Sequence, residues 1–147
     1  MWLLFVLAFS KMHVNVCVNR FRMYSQAEVH RSALVEAATS GSPKFFLGTD
    51  SAPHATFAKQ SACGCAGVFS AHCAIELYAE VFDKMDRLDR LEAFTSFYGA
   101  DHYGLARNTT TMTLEKKSWT VPLSYTFGKD LITPLRFGEE VEWTIVD

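Results

Sequence analysis

Long apolar runs, blocks of one charge sign, internal repeats and low-complexity tracts are all missing from this chain of 147 residues. The longest apolar stretch, Trp2-Leu3-Leu4-Phe5-Val6-Leu7-Ala8-Phe9, ends before Ser10 and Lys11. A membrane-spanning helix needs about 20 such residues, so no span is expected. No basic residue precedes the run, as a secretory leader requires. It reads as a buried strand or as residues foreign to the rest of the chain, with a segment targeting an organelle or membrane as the alternative. Excess charge is also missing: 14 basic side chains are interleaved with 16 acidic ones, for a net charge of -2. With a pI near 6.2, the chain has no basic field for phosphate backbones or anionic lipid, which excludes nucleic acid and speaks against a membrane surface as partner. Cysteine is sparse. Of Cys17, Cys63, Cys65 and Cys73, the middle two stand too close in sequence for an ordinary disulfide with each other, and a reducing, cytoplasmic setting fits the set.

What is present is an ordinary globular composition, 49% hydrophobic, in a chain long enough for a real core. Val14-Asn15-Val16-Cys17-Val18 alternates like a strand. From Gln26 the pattern turns helical through Val29, Ala33, Leu34, Ala37 and Ala38, and Ser40-Gly41-Ser42-Pro43 stops it. Phe45-Phe46-Leu47 then has the character of a fully buried parallel strand. Helix, short turn and buried strand make half of an α/β repeat. A second helix carries Ile75, Tyr78, Phe82 and Met85 on one stripe, widened by Leu77, Val81, Leu88 and Leu91, with Glu76, Glu80, Asp83 and Lys84 expected to face away. A short helix is expected over 92–97, stopped by Gly99, and a further turn closes at Gly104. Beyond Asn108 the pattern becomes β, with strands expected over 111–114, 119–121 and 141–146 as an accessory sheet.

Chemistry concentrates in Gly48-Thr49-Asp50-Ser51-Ala52-Pro53-His54, directly after the apolar strand. Loops at the carboxyl ends of strands are where α/β folds place reactive groups. A carboxylate there requires a cation or a metal to offset desolvation, or else serves as a helix N-cap. Cys63-Gly64-Cys65 with His72 and Cys73 nearby has one residue between its cysteines, whereas zinc sites use two to four, so these read as small thiols in a glycine-rich turn. Gly64 and Gly67 allow the main chain around Ala66 to approach a ligand. Asn108-Thr109-Thr110 reads as polar loop, and His13, His30 and His102 as structural.

Taken together, GTDSAPH at 48–54, Lys59, CGCAG at 63–67, LEAFTSFYGADHYGL at 91–105 and GEEVEW at 138–143 resemble the C-terminal part of dihydroorotase in its shorter bacterial and plant form. The resemblance implies the C-terminal part of an amidohydrolase (β/α)₈ TIM barrel with a small C-terminal β extension over 26–147, leaving 1–25 unmatched. It also implies two zinc ions and the reversible, pyrimidine-forming cyclisation of N-carbamoyl-L-aspartate to dihydroorotate. Asp50 falls at the position of the last metal ligand and proton shuttle, His54 at a histidine that holds the substrate carboxylate, and Ala66 at a main-chain contact to substrate. Association with further copies of the chain is compatible with this. The family's His-x-His pair, carboxylated lysine and two further histidines have no counterpart here, and a catalytic zinc takes three protein ligands. The chain by itself is therefore expected to be a truncated dihydroorotase without turnover, its apolar strand left with open edges. The alternative is a non-catalytic barrel fragment that binds a protein partner.

Overall fold

A computed structural model of the chain describes residues 28–62, 64, 65 and 67–146. The two apolar stretches expected before residue 26 lie outside these. Helix α1, Glu28–Thr39, ends where the sequence predicts, at a turn with Gly41 at φ 80°. It has no basic residue in its last turn. Arg90 supplies that charge from outside, its Nη1 donating to the carbonyls of Thr39 at 2.9 Å and Ser40 at 2.8 Å, where the helix dipole favours a cation. An extended segment follows, then the single turn α2, Thr56–Lys59. A 3₁₀ turn, Ala71–Cys73, leads into α3, Ala74–Lys84. After a second 3₁₀ turn, Leu88–Arg90, comes a π-helical turn, Ala93–Phe97, that runs directly into α4, Tyr98–Tyr103.

The remaining residues form three antiparallel strand pairs. β1, Thr113–Glu115, pairs with β6, Thr144–Val146; β2, Trp119–Thr120, with β5, Glu140–Val141; and β3, Tyr125–Phe127, with β4, Asp130–Ile132. The pairings nest. Residues 113–146 therefore run out and back as one interrupted hairpin whose tip is the turn at Gly128, φ 64°.

Helix α3 is buried on two sides. Tyr78, Ala79 and Phe82 pack with Val35 and Ala38 of α1 and with Leu91 and Phe94, and Phe45 and Leu47 lie against the same cluster. The Phe94 ring sits 5.3 Å from Tyr78 and 5.2 Å from Phe82, both tilted. Burying either phenylalanine contributes about 1.5–3 kcal/mol. On the other side Leu77 and Cys73 meet Val121 and Val141 of the interrupted hairpin.

Four sequence expectations change. Glu80 does not face away: it is buried, and its carboxylate takes Arg136 Nη1 at 2.7 Å and the Glu142 N–H at 2.8 Å. Glu76 is buried as well, and desolvation raises its pKa. Both were expected at the surface because helical spacing assumes one buried face, and α3 has two. Gly99 does not end a helix but lies within α4, where a Cβ would come 3.3 Å from the Phe46 ring. Close packing explains that glycine. Gly104, left-handed at φ 65°, is the true cap. Residues 45–47 are extended but pair with no strand among the described residues; Leu47 N–H instead donates to the Phe94 carbonyl at 3.0 Å. The β3–β4 pair was not foreseen, and 141–146 splits into β5 and β6.

The Glu80–Arg136 pair generates a stability prediction, because its side chains are only 3% and 17% exposed. Removing Glu80 takes a buried carboxylate partner from Arg136, which keeps only the more exposed Glu139, and the acceptor from the Glu142 N–H, so Glu80→Ala should lower the unfolding free energy by about 1.5–3 kcal/mol. The double replacement Glu80→Leu with Arg136→Met should cost clearly less. Urea denaturation followed by circular dichroism measures both.

Candidate functional site

Two loops carry the residues singled out by sequence, and the fold brings them side by side. The first continues the extended segment through 48–54. Tyr78 of α3, whose hydroxyl is pushed up to about 12 by burial, donates to the Gly48 carbonyl at 3.5 Å. Thr49 Oγ1 accepts the Ser51 N–H at 3.3 Å. Between these anchors Asp50 takes the left-handed conformation, φ 45°, uncommon outside glycine but tolerated by Asp. The residue is exposed, so it ends the apolar segment without the burial that the sequence suggested. His54 is half-buried.

The second loop runs from the end of α2 to the 3₁₀ turn before α3. Ser51 and Val68 form a parallel bridge, and Ala52 N–H donates to the Val68 carbonyl at 2.9 Å. Ser51 Oγ accepts the N–H groups of Ser70 and Ala71, each at 3.1 Å. Gly67, at φ 111°, lies so close that a Cβ would sit 2.5 Å from that of Ala52. Only glycine fits there. Lys59 reaches back from α2, its Nζ donating to the Cys65 carbonyl at 2.9 Å and also to the Gly67 carbonyl. Ala66, expected to meet substrate through its main chain, lies outside the described residues, as does Cys63.

Sequence reasoning had quoted Lys59, Ser51 and Gly48 as parts of motifs without assigning them work. The signal for Lys59 was available: a lone cation in an otherwise small and polar stretch, a few residues ahead of carbonyl-rich glycine turns. Tyr78 carried no signal beyond its helical stripe.

The thiols behave differently from a metal centre. Cys73 is 1% exposed, and desolvation first, then the charges of Glu76 and Glu80, push its thiol up to about 12. His72 Nε2 lies 3.1 Å from its sulfur, and burial lowers the pKa of that imidazole. Among the described residues no three His, Cys, Asp or Glu side chains come together in reach of one ion. The donors present therefore do not by themselves fit a catalytic zinc, which takes three protein ligands.

No family model matches the chain. Individual proteins do. It is 63% identical over 116 residues to the dihydroorotase of Vibrio parahaemolyticus, covering 79% of this chain and 34% of that protein. With the dihydroorotase of Photobacterium profundum it shares 55% identity over 144 residues, 95% of this chain and 42% of that protein; this match takes in residues of the N-terminal segment. The resemblance is to dihydroorotase. A crystal structure of the Saccharomyces cerevisiae dihydroorotase, in complex with 5-fluoroorotic acid, superposes with a TM-score of 0.74 at 35% identity, over 82% of this chain and 35% of that one. The Campylobacter jejuni dihydroorotase gives 0.70 at 32% identity over the same shares. The chain thus spans between a third and a half of the length of the dihydroorotases it matches.

Two outcomes follow from the loop geometry. Gly67→Ala combines a forbidden φ with a backbone clash and should cost at least about 1–3 kcal/mol, read as a fall in the urea midpoint. The Cys73 thiol is neutral in the folded state above the pH at which an unfolded thiol ionises, so the unfolded chain loses its proton first. Its contribution to stability is present below about pH 9 and lost as pH rises towards about 12. Iodoacetamide at pH 8 should leave Cys73 unmodified until denaturant is added, as peptide mass mapping will show.

Proposed function

We propose that residues 26–147 are the C-terminal part of a dihydroorotase barrel and that the paired loops form one side of its substrate site. The observation that carries this reading is the fastening of 48–54 to 67–71 through Ser51 and Ala52, in a segment 63% identical to a dihydroorotase. The reaction is the reversible cyclisation of N-carbamoyl-L-aspartate to dihydroorotate. In ring opening, water adds to a ring amide carbonyl and the amide nitrogen departs. The Asp50 carboxylate accepts the proton of the attacking water and delivers it to that nitrogen; ring closure runs the same transfer backwards. An exposed carboxylate on a backbone set at φ 45° between flanking hydrogen bonds is accessible for this. His54 contacts the substrate carboxylate, and Ala66 contacts the substrate through its main chain.

Zinc belongs to the complete enzyme in this reading, with Asp50 as one ligand and the others supplied by residues beyond those described. No helix among the described residues is long and apolar enough to cross a membrane, and a cytoplasmic location goes with the proposal.

The test replaces the matching segment of the Vibrio parahaemolyticus dihydroorotase with residues 28–147. The hybrid should convert dihydroorotate, and Asp50→Ala within it should reduce kcat by at least about 10²–10⁴-fold. The 147-residue chain alone with zinc should show no turnover. A folded hybrid that lacks activity, or an active Asp50→Ala hybrid, overturns the assignment.

A further inference from the structure

From the contacts of Lys59 we infer that it is a positioning residue, setting the main-chain conformation of the loop that presents residue 66 to the substrate. The inference rests on the dihydroorotase reading for the identity of that substrate, a cyclic imide bearing a carboxylate, but not for the geometry. A single ammonium donates to the carbonyls of Cys65 and Gly67, the two residues that flank position 66. Both hydrogen bonds are charge-assisted, roughly twice as strong as neutral ones. They hold the carbonyls of Cys65 and Gly67 towards Lys59 and thereby restrict the backbone at both residues.

Among the described residues, the other hydrogen bonds of the loop lie at its two ends. Gly64 N–H is tied to Ser61, by its carbonyl at 3.0 Å and its Oγ at 3.2 Å, which closes a turn at the near end. The Val68 carbonyl and the N–H groups of Ser70 and Ala71 are tied to the first loop at the far end. Lys59 bridges the span between these two anchored ends. Its own backbone is fixed by the turn of α2, where Lys59 N–H donates to Ala55 at 3.1 Å, and Thr56 of the same turn bonds the Leu131 carbonyl at 3.0 Å. The ammonium therefore extends from a turn that is itself braced by the β3–β4 tip, and it acts on substrate only through the loop.

The test compares Lys59→Met and Lys59→Arg. In the 147-residue chain, hydrogen exchange of a peptide covering 61–70 should accelerate about tenfold or more in Lys59→Met, as expected for loss of bonds to a charged donor. A peptide covering 74–84 should keep its protection, showing that α3 remains folded. Lys59→Arg, which retains several donors, should restore most of the protection of 61–70. In the Vibrio hybrid, Lys59→Met should raise KM for dihydroorotate about tenfold and change kcat by less than about threefold, the signature of lost ground-state binding. Unchanged exchange at 61–70 overturns the inference, and so does a fall in kcat at constant KM. Should the parent hybrid itself be inactive, the dihydroorotase assignment fails, while the exchange comparison still decides whether Lys59 holds the loop. Should Lys59→Met lose protection at 74–84 as well, the Lys59→Arg chain decides: protection at 61–70 close to that of the parent supports the inference, and loss there alone overturns it.

Discussion

Burial of α3 on two faces is the constraint from which most of this structure follows. One face, through Tyr78 and Phe82, fills the space between α1 and the π-helical turn. The other, through Leu77 and Cys73, accepts the interrupted hairpin. Glu80 lies where the helix would otherwise present charge to solvent, and Arg136 covers it at 2.7 Å. Arg136 itself sits at φ 59° and also bonds Glu139 at 3.2 Å and the Glu140 carbonyl, so a left-handed residue in the hairpin is locked by the helix it covers. The N-terminal end of the same helix begins at the 3₁₀ turn whose leading N–H groups meet Ser51. Packing at one end of α3 and loop fastening at the other are thus joined through one rigid element.

The candidate site depends on backbone geometry more than on side-chain clustering. Asp50 is not buried among compensating charges; it is exposed on a left-handed backbone. Left-handed backbone at a residue other than glycine costs of order 1–3 kcal/mol and persists only where the surroundings fix it. Those surroundings are the Thr49 hydroxyl, the Gly48 carbonyl held by Tyr78, and the bridge from Ser51 to Val68. Each is a contact between elements distant in sequence or a local side-chain turn, so the backbone at Asp50 is set by the assembly of α3 and the two loops.

Much of this was legible from residue pattern. The end of α1 at Ser40-Gly41, the cap at Gly104 and strands near 113 and 119 follow from turn chemistry and alternation, which are local. The loop at 48–54 was legible for the same reason, because a polar cluster directly after an apolar run is a local signal. What was not legible involves partners far away in sequence. Nothing near Glu80 announces Arg136, 56 positions later, and nothing in the spacing of α3 shows that it will be covered twice. Gly99 looks like a stop until Phe46 is placed against it. The roles of Asp50, His54 and Ala66 came from family resemblance, and the comparisons extend that resemblance to 63% identity without touching individual side chains.

The segment at 45–47 is held by helices and not by strand neighbours among the described residues. A strand in a closed parallel barrel has neighbours on both edges. Here Leu47 N–H donates to the Phe94 carbonyl at 3.0 Å, and Phe45 and Leu47 rest on the α1–α3 cluster, so packing against helices holds the segment without a ladder. All three residues are only half-buried, although the run is as apolar as a strand covered on both faces. The mismatch between that apolar character and the partial burial matches the share of the relatives' length that this chain covers.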